Sequence, residues 1–242
     1  MLFMRVFFAI WINCLVAANA CGQSGYLPRE DFSGAAYTLA VHEVNFEGVE
    51  NKGIGLRMPY DKIKGSPYFN DSFLVTKFYK SNGTTAVGEL KARLNLATHE
   101  VHFIGEGGKE FIAPAQLSNK ITFSNGVVFM LNSDDFQFNK KPLNGYSQVL
   151  VEGNVSLYKY IKRTVSSADS MFGTLKRYYF STSQWYFIKY NNKITQLKKM
   201  NDDAIFEIVP PDNAMTKWIS ANKMNLKREE DLVAYLKKWN EQ

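Results

Sequence analysis

The segment KITFSNGVVFML, residues 120 to 131, constrains the fold of this chain more than any other. Apolar and polar residues alternate on either side of Asn125-Gly126, the pattern of two antiparallel strands joined by a tight turn. An Asn-Gly pair supplies the two positive φ angles of a type I′ turn, so a two-residue loop is expected. That loop pairs Phe123 with Val128 and Ile121 with Met130 and collects an apolar face that must be buried.

The same grammar recurs from about residue 35 to residue 200. ELKARLNLATHEVHFIG, residues 89 to 105, folds back around Ala97-Thr98. Leu90, Ala92, Leu94 and Leu96 then share a face with Val101 and Phe103. This register sets Arg93 opposite His102 and Asn95 opposite Glu100. Asn82-Gly83 and Asn144-Gly145 mark further turns, and Glu152-Gly153-Asn154 joins SQVLV to VSLYKYIK. Tyr190-Asn191-Asn192-Lys193 closes a late hairpin with Tyr186 facing Leu197 and Ile188 facing Thr195. A hinge is expected at SSADS, residues 166 to 170, ahead of the aromatic run RYYFSTSQWYFIKY.

After Pro210-Pro211 the apolar period lengthens from two to nearly four. Asp212 is a helix cap, with Met215, Trp218, Ile219 and Asn222 on one stripe. A second helix, from near Asn225, carries acids at its start and Lys237 and Lys238 near its end, with Leu232, Tyr235, Leu236 and Trp239 as its apolar stripe. The expected fold class is α+β: mostly antiparallel β, as a curved meander, sandwich or partly closed barrel, with a C-terminal helical hairpin packed on the sheet.

Residues 1 to 20 have the form of an export signal: Arg5, an apolar run from Val6 to Ala18, then small residues at Ala18 and Ala20. The run is too short, and too broken by Asn13, for a membrane span of roughly 20 apolar residues. The expected division is a signal over 1–20, a tether over 21–34, a β-rich domain over 35–209 and the helical hairpin over 210–242. Cys14 leaves with the signal, so Cys21 has no partner for a disulfide within the chain. Two fates remain for it, attachment to lipid or a spare thiol. Acyl chains contribute about 0.8 kcal/mol per buried methylene, enough to hold the protein on a membrane. The expected location is therefore exported: periplasmic, or lipid-anchored in the outer envelope.

The formal charge of +6 sits in one part of the chain. Residues 1–158 carry 14 basic and 14 acidic side chains, whereas residues 159–242 carry 15 and 9. A basic face suits anionic headgroups, glycans or an acidic protein; export argues against nucleic acid.

Chemistry-bearing motifs are sparse. GxSxG, HExxH, P-loop, GxGxxG and CxxC patterns are absent. Histidine is limited to His42, His99 and His102, and the odd spacing of the last two sends their rings to opposite faces of a strand, against a shared metal. GEGGKE, residues 105 to 110, reads as a glycine turn between strands. Asp134-Asp135 and Asp202-Asp203 are adjacent carboxylates and read as loop solvation. Aromatics crowd residues 178 to 190; Tyr179, Trp185, Tyr186 and Tyr190 are the candidate ligand platform, against the plainer reading as core. No catalytic residue, metal or cofactor is expected.

KGSPYFNDSF (64 to 73), YSQVLVEGNVSLYKYIKR (146 to 163) and ISANKMNLKREEDLVAYLKKWN (219 to 240) together resemble a family of uncharacterised secreted, envelope proteins of Bacteroidota. The resemblance covers most of the chain after the signal and brings no activity or catalytic residues. Lys64-Gly65-Ser66-Pro67-Tyr68 reads as a structural turn first and a binding loop second. Asp169-Ser170-Met171 resembles the O-glycosylation sequon of that phylum, with Ser170 as the acceptor. The function expected is a non-enzymatic binding or assembly module of the envelope, with a protein or glycan partner. The alternatives are a barrel or cleft that binds a small ligand or glycan, and a glycan-active hydrolase with two carboxylates about 5 to 10 Å apart.

Overall fold

In a computed structural model of the chain, residues 25–27, 39–43, 49–51, 56–80, 86–105, 108–169 and 176–242 are described. The strands of the first half are β1 (Gly25–Leu27), β2 (Leu39–Glu43), β3 (Val49–Asn51), β4 (Leu56–Met58), β5 (Ile63–Lys64), β6 (Leu74–Tyr79), β7 (Ala86–Asn95), β8 (Glu100–Ile104) and β9 (Glu110–Ile112). There follow β10 (Lys120–Phe123), β11 (Val128–Leu131), β12 (Gln137–Phe138), β13 (Lys141–Pro142), β14 (Tyr146–Val151), β15 (Ser156–Asp169), β16 (Lys176–Tyr190) and β17 (Lys193–Leu197). The helices are α1 (Asp202–Ile208), α2 (Asn213–Ala221) and α3 (Glu229–Trp239).

One large sheet runs β1-β2-β9-β8-β7-β6-β10-β11-β14-β15-β16-β17, with β5 also paired to β16. Its ladders are antiparallel apart from β5 on β16. β6 is the pivot. The chain meanders outward from it through β7, β8 and β9, then returns past Pro114 to lay β10 on the other side of β6. The fold is thus α+β and β-rich, as the alternation implies, and the sheet is an open path, not a closed barrel. It curls all the same: the Arg163 N–H, on β15, donates to the Leu96 carbonyl at the β7–β8 turn, at 3.0 Å.

The 89–105 hairpin keeps the expected register, with Arg93 opposite His102 and Asn95 opposite Glu100. The 120–131 hairpin does not. Ile121 pairs with Phe129 and Thr122 with Val128, one residue away from a type I′ arrangement. Gly126 takes a positive φ of 83°, while Asn125 is not among the residues that do. The loop is therefore Ser124-Asn125-Gly126, closed by the Gly126 N–H on the Phe123 carbonyl and the Phe123 N–H on the Val127 carbonyl, each at 2.9 Å. A one-residue slip exchanges the faces of a strand. Here it puts Phe129, fully buried, beside Ile121 and Phe123, and turns Met130 to the opposite side.

Three cores result. Phe78, Leu94, Phe103, Ile121 and Phe129 lead the first, inside the curl. The second lies under the helices, where Leu157, Ile188 and Leu197 meet Ile205, Met215, Leu232 and Leu236. In the third, Phe136, from the excursion between β11 and β14, packs on Tyr158, Tyr160 and Phe187.

α2 and α3 form the expected C-terminal pair, and α3 starts at Glu229, after a turn from Asn225. α1 was not visible in the period, because seven residues hold fewer than two full turns of apolar pattern. Asn201 caps it by accepting the Ala204 N–H, so Asp202-Asp203 lies in a helix, not a loop. The helical layer therefore begins before Pro210-Pro211. Residues 166–169 of the expected hinge are instead the end of continuous strand β15, and Ser170 lies outside the described residues. Asp212 caps α2 through a 2.7 Å bond from the Met215 N–H. Asp212→Ala should cost about 1 kcal/mol in urea denaturation, the usual value of such a cap.

Candidate functional site

Two polar assemblies hold the fold and a third is open. The first lies on the face of β7–β8 that points away from the first core. Alternation sends Arg93, Asn95 and His102 there, and β9 adds Glu110. Arg93 donates to both oxygens of Glu110 at 2.9 Å, and His102 Nδ1 lies 2.8 Å from Glu110 Oε1. Glu100 stands 3.6 Å from His102 Nε2, an ion-pair distance just beyond hydrogen-bond reach. His102 is 2% exposed, Arg93 15% and Glu110 12%.

Residues 60–69 strap this cluster down. The Phe69 N–H donates to the Leu94 carbonyl and the Leu96 N–H to the Pro67 carbonyl, which holds Tyr68 against Asn95. The Arg93 guanidinium lies 3.6 Å over the Tyr68 ring, and Tyr68 meets the His102 ring edge-on. Asn95 donates to the Tyr60 hydroxyl at 2.9 Å, and Arg163 donates to the Ser66 carbonyl. The GSPY stretch is therefore a structural turn here. Burial disfavours charge on His102, but the carboxylates of Glu100 and Glu110 outweigh it and raise its pKa. Burial likewise opposes the charged form of Glu110, and His102 and Arg93 more than offset it, so its pKa falls. Two bases and two acids neutralise each other, with His102, Arg93 and Glu110 largely shielded from solvent and Glu100 42% exposed at the rim.

His99 lies at the β7–β8 turn with a positive φ of 60°. Its ring stacks on Tyr160 at 4.5 Å, and its Nδ1 accepts the Tyr146 N–H at 3.2 Å, which leaves the proton on Nε2. Burial, then Lys162, pushes its pKa down to about 4, so the ring is neutral at physiological pH. Gly145 makes room for it: a Cβ there would stand 2.4 Å from His99 Cγ. His99 and His102 do point apart, and among the described residues no three His, Cys, Asp or Glu side chains gather as a metal site.

The open assembly is a groove of about 800 Å³ between β17 and α1. Tyr190, Lys193, Thr195 and Gln196 line it from the hairpin, Lys198 and Lys199 from the connection, and Asp203 and Glu207 from α1. None of the side chains of these three lysines and two acids forms a hydrogen bond or ion pair among the described residues, in contrast to Arg93–Glu110, Lys120–Glu152 and Lys159–Glu229. Asp203 and Glu207 share one wall, four residues apart on one helix face. They do not flank a bond from two sides as the carboxylates of a glycosidase must.

The four candidate aromatics do not form one platform. Strand alternation places Tyr179 and Trp185 on one face of β16 and Tyr186 and Tyr190 on the other. Trp185 packs on Phe138 at 5.0 Å and Tyr160 at 5.8 Å, and the Tyr186 hydroxyl donates to Glu229 beneath α3. Tyr190 meets Trp239 edge-on at 5.3 Å and reaches the groove, while Tyr179 is 39% exposed. Cys21 and Ser170 lie outside the described residues. No helix among the described residues is long and apolar enough to cross a membrane.

Compared with family models, curated proteins and solved structures, the chain matches none. The groove therefore rests on its own geometry. Sequence reading missed it because its two walls come from a hairpin edge and from the short helix α1. The one local signal was the pair of acids Asp203 and Glu207, like charges four apart.

Proposed function

We propose that this protein is an exported, non-enzymatic binding or assembly module of the cell envelope, and that it takes its partner in the groove between β17 and α1. One observation carries the reading: the groove holds charged and amide side chains that the fold itself does not use, whereas the acids and bases around His102 are consumed in holding the strap. Export and envelope location rest on the signal-like residues 1–20. The Tyr190 ring at one end of the groove gives the alternative, a glycan in the same cleft, its specific support.

A photo-crosslinking residue placed at Thr195, compared with one at exposed Lys217 on α2, tests the reading in cells. The expected result is a discrete adduct from Thr195, several-fold above the Lys217 level. Equal labelling at the two positions would sink it.

A further inference from the structure

We propose that the outer edge of β17 is a strand-addition site, at which an extended peptide pairs with the main chain of Ile194 and Gln196 and turns cationic side chains toward Asp203 and Glu207. This deepens the proposed function and rests on it for the choice of groove.

The register of the last hairpin fixes which main-chain groups are free. Asn191 and Asn192, with φ of 49° and 60°, form the two-residue loop, so Tyr190 and Lys193 beside it are a hydrogen-bonded pair. Bonded and non-bonded pairs alternate along an antiparallel ladder. Lys193, Thr195 and Leu197 therefore bond back to β16, and the N–H and C=O groups of Ile194 and Gln196 point outward. β17 ends the strand order, with no described strand beyond it.

Natural edges are blunted by short strands, by charged side chains, lysine above all, by proline, bulges or inward charge, or by a covering helix or loop. β17 has lysines only at its margins; Ile194, Thr195 and Gln196 are uncharged, and their register is regular. The space beside them suits a strand. Five residues of strand span about 17 Å and an added strand lies about 4.8 Å away, and four of the five residues of β17, Lys193, Thr195, Gln196 and Leu197, line the groove of about 800 Å³.

The opposite wall supplies the selectivity. Asp203 and Glu207 are like charges at i, i+4, an arrangement that destabilises a helix unless a cation answers it. Three lysines line the same groove, yet none comes within ion-pair distance of either acid. The walls are held apart, and a strand between them would bring cations to the acids. Lys193 and Lys199 bracket the groove and favour acids at the ends of such a strand. The whole chain is basic, so non-specific attraction works against a cationic partner.

The probe is a fluorescein-labelled heptapeptide, Glu-Val-Lys-Val-Lys-Val-Glu, measured by anisotropy against the full chain. Binding is expected, with at least a tenfold loss, about 1.4 kcal/mol, in each of three controls. These are a peptide N-methylated along its bonding edge, the variant Gln196→Pro, and the double variant Asp203→Lys with Glu207→Lys. Proline is tolerated on an edge where the lost N–H faces outward, and a thermal melt checks that Gln196→Pro is folded. The N-methylated peptide needs no protein variant at all. Equal binding of that peptide, undiminished affinity of folded Gln196→Pro, or no binding of the heptapeptide would each overturn strand addition. If an oligosaccharide instead competes away the Thr195 crosslink, strand addition falls and the binding module stands.

Discussion

Glu110→Gln is expected to lower the free energy of unfolding by about 3–5 kcal/mol at mildly acidic pH, the usual cost of breaking a buried ion pair from one side. The substitution leaves Arg93 without its bidentate partner and His102 without its 2.8 Å acceptor, both with little access to water. The effect depends on pH with a definite sign. His102 has a raised folded pKa, so its contribution is complete below its ordinary value of 6.5 and is lost as pH rises through the folded value. Glu100, through its ion pair with His102, and Glu110 have lowered folded pKa values, so their contributions are complete above 4.5 and are lost as pH falls. The cluster is strongest between these limits. Urea denaturation at about pH 5.5 and about pH 8.5 should show the larger penalty for Glu110→Gln at the lower value. A penalty that does not change with pH would mean that His102 is not the charged partner described above.

Asn240→Ala is expected to cost about 2–5 kcal/mol, because it leaves two buried main-chain groups unpaired. The Asn240 amide acts as a short piece of strand: its Oδ1 accepts the Val155 N–H and its Nδ2 donates to the Val155 carbonyl, both at 2.8 Å. Val155 is fully buried, so water cannot replace either bond. Gly153 is part of the same joint, since a Cβ there would stand 2.6 Å from Asn240 Nδ2. This contact ties the end of α3 to the turn between β14 and β15, and so holds the helical layer on the second core. Amide exchange checks the mechanism: the Val155 amide should lose protection in Asn240→Ala by more than the drop in global stability accounts for. A variant that exchanges at Val155 as slowly as the parent would show that the joint is not built this way.

The segments 64 to 73, 146 to 163 and 219 to 240 have packing roles in this fold. Gly153 and Asn240 belong to two of them and meet at the joint just described. Ser66 and Arg163 belong to the first and second and meet where the strap closes. Each contact is remote in sequence.

What the residues determined by themselves was local. Alternation and turn chemistry assign the strands, and the registers of the β7–β8 and β16–β17 hairpins follow from which residues are apolar, because a one-residue slip would expose Leu94 or Ile188. Arg93 opposite His102 was legible on the same grounds. The Asn125-Gly126 turn shows the limit of such reading: the dipeptide permits both a two-residue and a three-residue loop, and the burial of Phe129 against the first core selects the longer one. Only the tertiary structure brings Glu110 to His102, since the glycine turn before β9 leaves its register free, and only it lays Tyr68 over Arg93 from 25 positions earlier in the chain. The groove belongs wholly to this second class. Its walls acquire meaning when β17 becomes the last strand of the sheet and α1 folds back beside it. Periodicity tells which side of an element is buried; it does not tell which edge is left without a neighbour.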